Sequence, residues 1–272
     1  MGKGLPYILS RIKKQKAIET YTNNVPQQIL FAYDYDYWNN YSIKKPVFVD
    51  ISSQKNSHIL LVGLSGSGKS YALIRCIREI IQSGTPQDEY FFSDFKQDDL
   101  FSYLRKCKNY YPYQKTLTAL NQVYERLQKR QSGEDTSRNG ITLIIDEYVS
   151  FILSLQNKDK KKATEAMNKI SEILMLGRSL SIRIIIAVQR PDANIFSQGA
   201  RINFGVICVL GTALKSSYEM VVPSEFINEI GDRKFKTGEG ILLLQGADLH
   251  FIKIPIVRDI ETLQNICIKA LS

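Results

Sequence analysis

The sequence predicts an α/β fold with a mainly parallel sheet flanked by helices, preceded by a small N-terminal appendage. Three observations carry this. Apolar runs at 59–62, 141–145, 182–188 and 204–210 are short and closely bounded by polar residues or glycine, the pattern of strands buried on both faces. Segments with helical spacing of apolar residues lie between them. A glycine-rich stretch, Gly63-Leu-Ser-Gly-Ser-Gly68-Lys69-Ser70, joins the first of these strands to the first of these helices. Strands that alternate with helices pair in parallel and are covered on both faces, which makes three layers.

The elements follow in order. Residues 1–55 differ from the rest and are set apart as the appendage, with 56–272 as the main domain. Met1 to Lys16 is basic, with Lys3, Arg11, Lys13, Lys14 and Lys16, and is expected to be a solvated arm. The aromatic stretch from Phe31 to Tyr41 is expected to form a small hydrophobic flap over the main domain, with base stacking as the alternative. Val47–Asp50 is a short strand leading in. After Lys69, Leu73, Cys76, Ile77, Ile80 and Ile81 mark a helix that stops near Gly84 and Pro86. Tyr90–Asp94 is the second strand, and helices follow near 98–104 and 117–128. The polar segment 131–140, with glycines near both ends, is the best candidate for a mobile loop. Ile141–Ile145 is the third strand. Ala163, Ala166, Met167, Ile170, Ile173 and Leu174 define an amphipathic helix ending near Gly177, with Lys158–Lys162 as its solvated start. Ile182–Val188 and Phe204–Leu210 are the fourth and fifth strands. Ile241–Leu244 and Leu249–Ile254 form a terminal pair, and a helix near Asp259–Leu271 closes the chain.

Composition narrows the function classes. Apolar residues make up 44% of 272, enough for a sizeable core. Lys and Arg number 36 against 27 acidic residues, and the formal charge of +9 favours a polyanionic partner. Four widely spaced cysteines form no metal-binding pair and demand no disulfide, so a reducing, cytoplasmic compartment is expected. No apolar run approaches the roughly 20 residues that span a bilayer, and the N-terminus lacks the apolar segment of a signal peptide.

The chemistry lies at strand ends. Gly63 to Ser70 fits GxxxxGK[ST], the phosphate-cradling P-loop, in its confirming context of strand before and helix after. Gly63, Ser65, Gly66, Ser67 and Gly68 supply backbone N–H groups to phosphate oxygens, aided by the helix N-terminus where Tyr71 follows. Lys69 is expected to reach the β- and γ-phosphates of ATP, and Ser70 to ligate Mg²⁺. Asp146 and Glu147 end a buried strand: Asp146 suits direct or water-mediated contact with Mg²⁺, and Glu147 suits polarising the attacking water. Gln189 ends another apolar strand, where its amide can sense the γ-phosphate or the water. Neither Asn-Lys-x-Asp nor Asp-x-x-Gly is present, which argues against a guanine-nucleotide switch. A Glu beside the metal-binding Asp argues against a small-molecule kinase. ATP hydrolysis is the expected reaction, with Lys69, Glu147 and Gln189 at its centre.

From about residue 56 to 257 the sequence resembles the FtsK/SpoIIIE branch of the FtsK–HerA superfamily. Four landmarks in order carry the resemblance: the P-loop; Ser93-Asp94-Phe95-Lys96 where relatives have Asp-Pro-Lys; Gly177-Arg178 running to Gln189-Arg190-Pro191; and Gly238-Glu-Gly240 before the last strands. Here the proline of the second landmark is missing and Ser181 replaces a usual glycine. The resemblance implies a RecA-like motor domain that assembles as a homo-hexamer and moves DNA through its centre. It implies ATP between subunits, with Arg178 supplied in trans, and DNA-phosphate contacts from Arg190 and Arg201. Compact members act as coupling ATPases of conjugative elements, which implies relaxase and membrane transfer-channel partners and a cytoplasmic motor, membrane-associated through partners or a preceding anchor. Type VII secretion motors share the Gly-Arg-Ser-Leu pattern of 177–180, so a protein-secretion ATPase that recognises a peptide signal is the alternative.

Overall fold

Residues 28–52, 58–192 and 202–272 are described by the computed structural model. They build one ten-stranded sheet in the order β2-β1-β10-β9-β8-β3-β7-β6-β4-β5. The strands are β1 (Gln28–Asp34), β2 (Pro46–Asp50), β3 (Ile59–Gly63), β4 (Glu89–Asp94), β5 (Tyr110–Pro112), β6 (Ile141–Asp146), β7 (Ile182–Val188), β8 (Val206–Leu210), β9 (Glu239–Leu244) and β10 (Asp248–Lys253). From β8 across to β5 every pair is parallel. From β8 out to β2 every pair is antiparallel.

The central strands are almost wholly apolar because both faces are covered, with Thr142, Asp146 and Arg183 as exceptions. Along β3, Ile59 and Leu61 enter one core while Leu60 and Val62 enter the other. This is the two-residue alternation of a strand. Helices Lys69–Ser83 and Ile260–Leu271 cover one face. Helices Thr116–Ser132, Tyr148–Lys158 and Lys160–Leu176 cover the other.

Three features differ from the sequence reading. The aromatic stretch is not a flap. Ile29, Phe31 and Ala32 are buried on β1, which extends the sheet beside β10, and Tyr35–Tyr41 forms a one-sided helix after it. Buried Arg75, on the helix after the glycine loop, donates to the carbonyls of Leu30 and Phe31 (both 2.7 Å) and locks β1 to that helix. Residues 28–50, which the sequence sets apart, thus share the sheet of the main domain.

The segment 131–140 is wrapped around Arg130, whose side chain is fully buried. Arg130 donates to Asp135, Ser137, Asn139 and the carbonyl of Leu180. Helices Tyr148–Lys158, Lys215–Val221 and Ser224–Ile230 and strand β5 have no counterpart in the sequence reading. Among the described residues, no helix is long and apolar enough to cross a membrane.

Candidate nucleotide site

The glycine loop leaves β3 at Gly63 and enters its helix at Lys69. Gly66 and Gly68 have φ of +81° and +90°, a conformation that costs residues with a Cβ about 1–3 kcal/mol. Glycine is needed at 68 for a second reason, since a Cβ there would come within 3.1 Å of the Gly238 nitrogen. The turn before β9 grips the loop from that side. Thr237 Oγ1 donates to the Gly66 carbonyl (2.8 Å), and the Gly238 N–H donates to the Ser67 carbonyl (2.8 Å). Both contacts use loop carbonyls and hold the loop from its outer side, while the Ser67 N–H donates to the Leu64 carbonyl (3.1 Å).

Beneath the loop lies a buried three-way ion cluster. Lys69 Nζ is 3.0 Å from Asp146 Oδ1 and 2.9 Å from Glu147 Oε1. Lys69, Asp146 and Glu147 are all buried. Burial opposes the charge on Lys69, but the two carboxylates together outweigh it and raise its pKa. Burial pushes Asp146 up to about 6, against the pull of Lys69. Glu147 has a φ of +58° at the junction of β6 and its helix, which turns its side chain back toward Lys69.

Topology explains how these residues meet. In the sheet β7 lies between β3 and β6, so Gln189 emerges between the strands that carry the loop and the acidic pair. A cavity of about 330 Å³ opens there, lined by Ser65, Gly66, Gly68, Lys69, Ser70, Tyr71, Asp146, Glu147 and Gln189. Lys96, Asp98 and Thr237 also line it. Sequence reasoning gave none of these three a role, because each reaches the cavity from a distant segment. Gly63 and Ser67 belong to the loop but do not line the cavity, and the buried Ser67 hydroxyl has no hydrogen-bond partner. The Tyr71 hydroxyl accepts from the Val257 N–H, which pins the start of the helix.

The residues present fit a magnesium nucleotide. Ser70 and Asp146 offer hard oxygen donors on one wall of the cavity, as Mg²⁺ prefers. Among the described residues no cluster of three or more His, Cys, Asp or Glu could hold a metal alone.

Arg178 lies elsewhere. It is exposed on the turn Gly177–Leu180 just before β7, at the end of the strands opposite the glycine loop. There it lines a cavity of about 220 Å³ with Arg138 and Arg183. It does not meet the loop of its own chain. Arg190 is exposed just beyond Gln189, and Arg201 lies outside the described residues.

A glycine cradle at a strand-to-helix junction, an acidic pair two strands away and Gln189 between them make a P-loop nucleotide site on a RecA-like fold. In sequence the chain is similar to FtsK-like proteins. No family model matches it. It is 27% identical over 213 residues to the FtsK domain-containing protein YdcQ of Bacillus subtilis strain 168, a match covering 72% of this chain and 42% of that protein. It is 24% identical over 238 residues to the DNA translocase FtsK of Chlorobaculum tepidum, covering 76% of this chain and 28% of the relative. The chain thus spans less than half the length of either relative. Among solved structures, the pCW3 conjugation coupling protein TcpA in its monomer form with ATPγS superposes with a TM-score of 0.67 at 18% identity, over 90% of this chain and 70% of that one. The cytoplasmic domain of the type VII secretion ATPase EccC from Thermomonospora curvata gives 0.65 at 19%, over 91% and 31%.

Proposed function

We propose that the chain is the motor domain of an ATP-driven DNA translocase, serving conjugative DNA transfer or the maintenance of a mobile element. One observation carries the catalytic part: Lys69, Asp146 and Glu147 converge beneath an open glycine cradle. The two sequence relatives, both FtsK-like and one named as a DNA translocase, support DNA as the substrate, as does the formal charge of +9.

In this reading the backbone N–H groups from Gly63 to Gly68 surround the phosphates of ATP, with Tyr71 at the helix start completing the pocket. Lys69 leaves its carboxylates to pair with the β- and γ-phosphates. Ser70 and Asp146 would hold Mg²⁺, which would supply positive charge to the phosphate oxygens. Glu147 orients the attacking water and takes up its proton, and Gln189 senses the γ-phosphate. The site of one chain is incomplete: among the described residues its cavity has two lysines and no arginine. Arg178, exposed on the opposite edge, is the arginine that a second copy supplies, in a homo-hexamer.

Arg190 and Arg201 contact DNA phosphates without reading sequence, as a translocase requires. A relaxase and a membrane transfer channel are the partners that such a motor serves, from a cytoplasmic position. Four free cysteines, all buried, suit that compartment.

The test is ATP turnover with and without long duplex DNA at moderate salt. Stimulation that weakens steeply as salt rises is the expected result. Stimulation by a peptide signal but not by DNA would select protein secretion instead.

A further inference from the structure

The nucleotide cavity contains a cation that the roles above leave unused. Lys96 extends from the turn after β4, and its Nζ is 3.4 Å from Glu147 Oε1. Its side chain is 41% exposed, whereas that of Glu147 is only 5% exposed. The two meet at the mouth of the cavity, both lining it.

The turn that carries Lys96 is firmly built. Asp94 is fully buried at the end of β4, accepts from the Tyr110 hydroxyl (2.7 Å), and accepts from the Asp98 N–H (3.2 Å) across the turn. Asp98 in turn accepts from the Leu100 N–H (2.9 Å) and starts the next helical turn. Phe95 packs its ring against Tyr113 (5.0 Å) and against Phe151 (6.1 Å). Phe151 belongs to the helix that begins immediately after Glu147. The residue before Lys96 is thus packed on the element whose orientation Glu147 shares.

Lys69 cannot serve Glu147 and a nucleotide together. It bridges both carboxylates here, and phosphates entering the cradle compete for the same ammonium group. A carboxylate buried as deeply as Glu147 is strongly disfavoured without a cationic or hydrogen-bonding partner. Its left-handed backbone adds strain, so its side-chain direction depends on what holds it. Lys96 is the second cation recorded on it. We infer that Lys96 is the positioning residue for Glu147, holding that carboxylate paired and aimed into the cavity once Lys69 has turned to the phosphates. This rests on the ATPase reading.

The test compares wild type, K96M and K96R by steady-state turnover and by ATPγS affinity. Lys96 is partly exposed, so both variants are expected to fold, and their ATPγS affinity reports an intact cradle. K96M is expected to lower kcat about ten- to a hundredfold while changing ATPγS affinity less than about threefold. K96R, which keeps a cation at the same place, is expected to recover turnover to within about threefold of wild type. An active wild type with unchanged kcat in K96M overturns the assignment. So does a parallel loss of affinity and kcat, which would make Lys96 a phosphate ligand, and so does a K96R as slow as K96M. A wild type that binds ATPγS and never turns over ATP contradicts the ATPase reading itself, and the assignment falls with it.

Discussion

Glu147 combines a left-handed backbone, near-complete burial and two lysine partners at one residue. If it is the water-orienting base, Glu147→Gln keeps the shape of the site and removes the proton acceptor. The expected outcome is a fall in kcat of about 10²–10⁴-fold with ATP affinity nearly unchanged, measured by turnover and by equilibrium binding. His58 makes a different prediction. It is buried just ahead of β3, its Nδ1 accepts from the Ile184 N–H (3.1 Å), and burial beside Arg183 and Arg178 lowers its pKa to about 3. The folded imidazole therefore stays neutral while an unfolded one takes a proton near its ordinary value of about 6.5. A histidine lowered on folding contributes stability that is full above about 6.5 and is lost as pH falls toward 3. The slope it adds is about 1.4 kcal/mol per pH unit within that window. Urea melts between pH 7 and 4 should show a shallower acid slope for His58→Gln than for wild type. At this scale the sequence was legible where chemistry is local. Lys69, Ser70, Asp146, Glu147 and Gln189 could be named from their strand ends. Lys96 could not be, because its pairing with Glu147 depends on β4 lying beside β6.

Among elements, the parallel strands β3, β6 and β7 were legible because burial on both faces makes them nearly continuous apolar runs. The helix Tyr148–Lys158 was not. Its residues Tyr148, Phe151, Ile152 and Leu155 do stand at helical spacing, but Val149 and Leu153 fill in between them and blur the stripe directly after β6. Strand β1 was hidden by its aromatic neighbours, which suggested a surface flap. The polar segment 131–140 looked loose because its anchor, Arg130, belongs to the preceding helix. That anchor also ties the segment to Leu180, on the turn bearing Arg178. Removing it leaves the Leu180 carbonyl, Asp135, Ser137 and Asn139 without their shared donor. Arg130→Met is expected to cost about 2–4 kcal/mol in urea unfolding. If Arg178 serves another chain's nucleotide as proposed, Arg130→Met should also reduce turnover more than nucleotide binding.

For the whole molecule, the geometry separates the glycine cradle and Arg178 onto opposite ends of the parallel strands. The cradle and its carboxylates lie at the carboxyl ends of the parallel strands, and Arg178 lies at their amino ends. A chain built this way is expected to be a poor ATPase alone and a good one when stacked head to tail. Positive charge near the sensor strand would then face a polyanion threaded through the ring. That arrangement comes from the resemblance, since no local pattern in a sequence encodes an interface between copies. The most direct test of the central claim is ATP turnover recorded together with oligomer mass, with and without long duplex DNA. The account predicts slow turnover by the isolated chain, and a rise of at least about tenfold when DNA is added and a multimer forms. Turnover that is indifferent to DNA and equally fast in the monomer would contradict it.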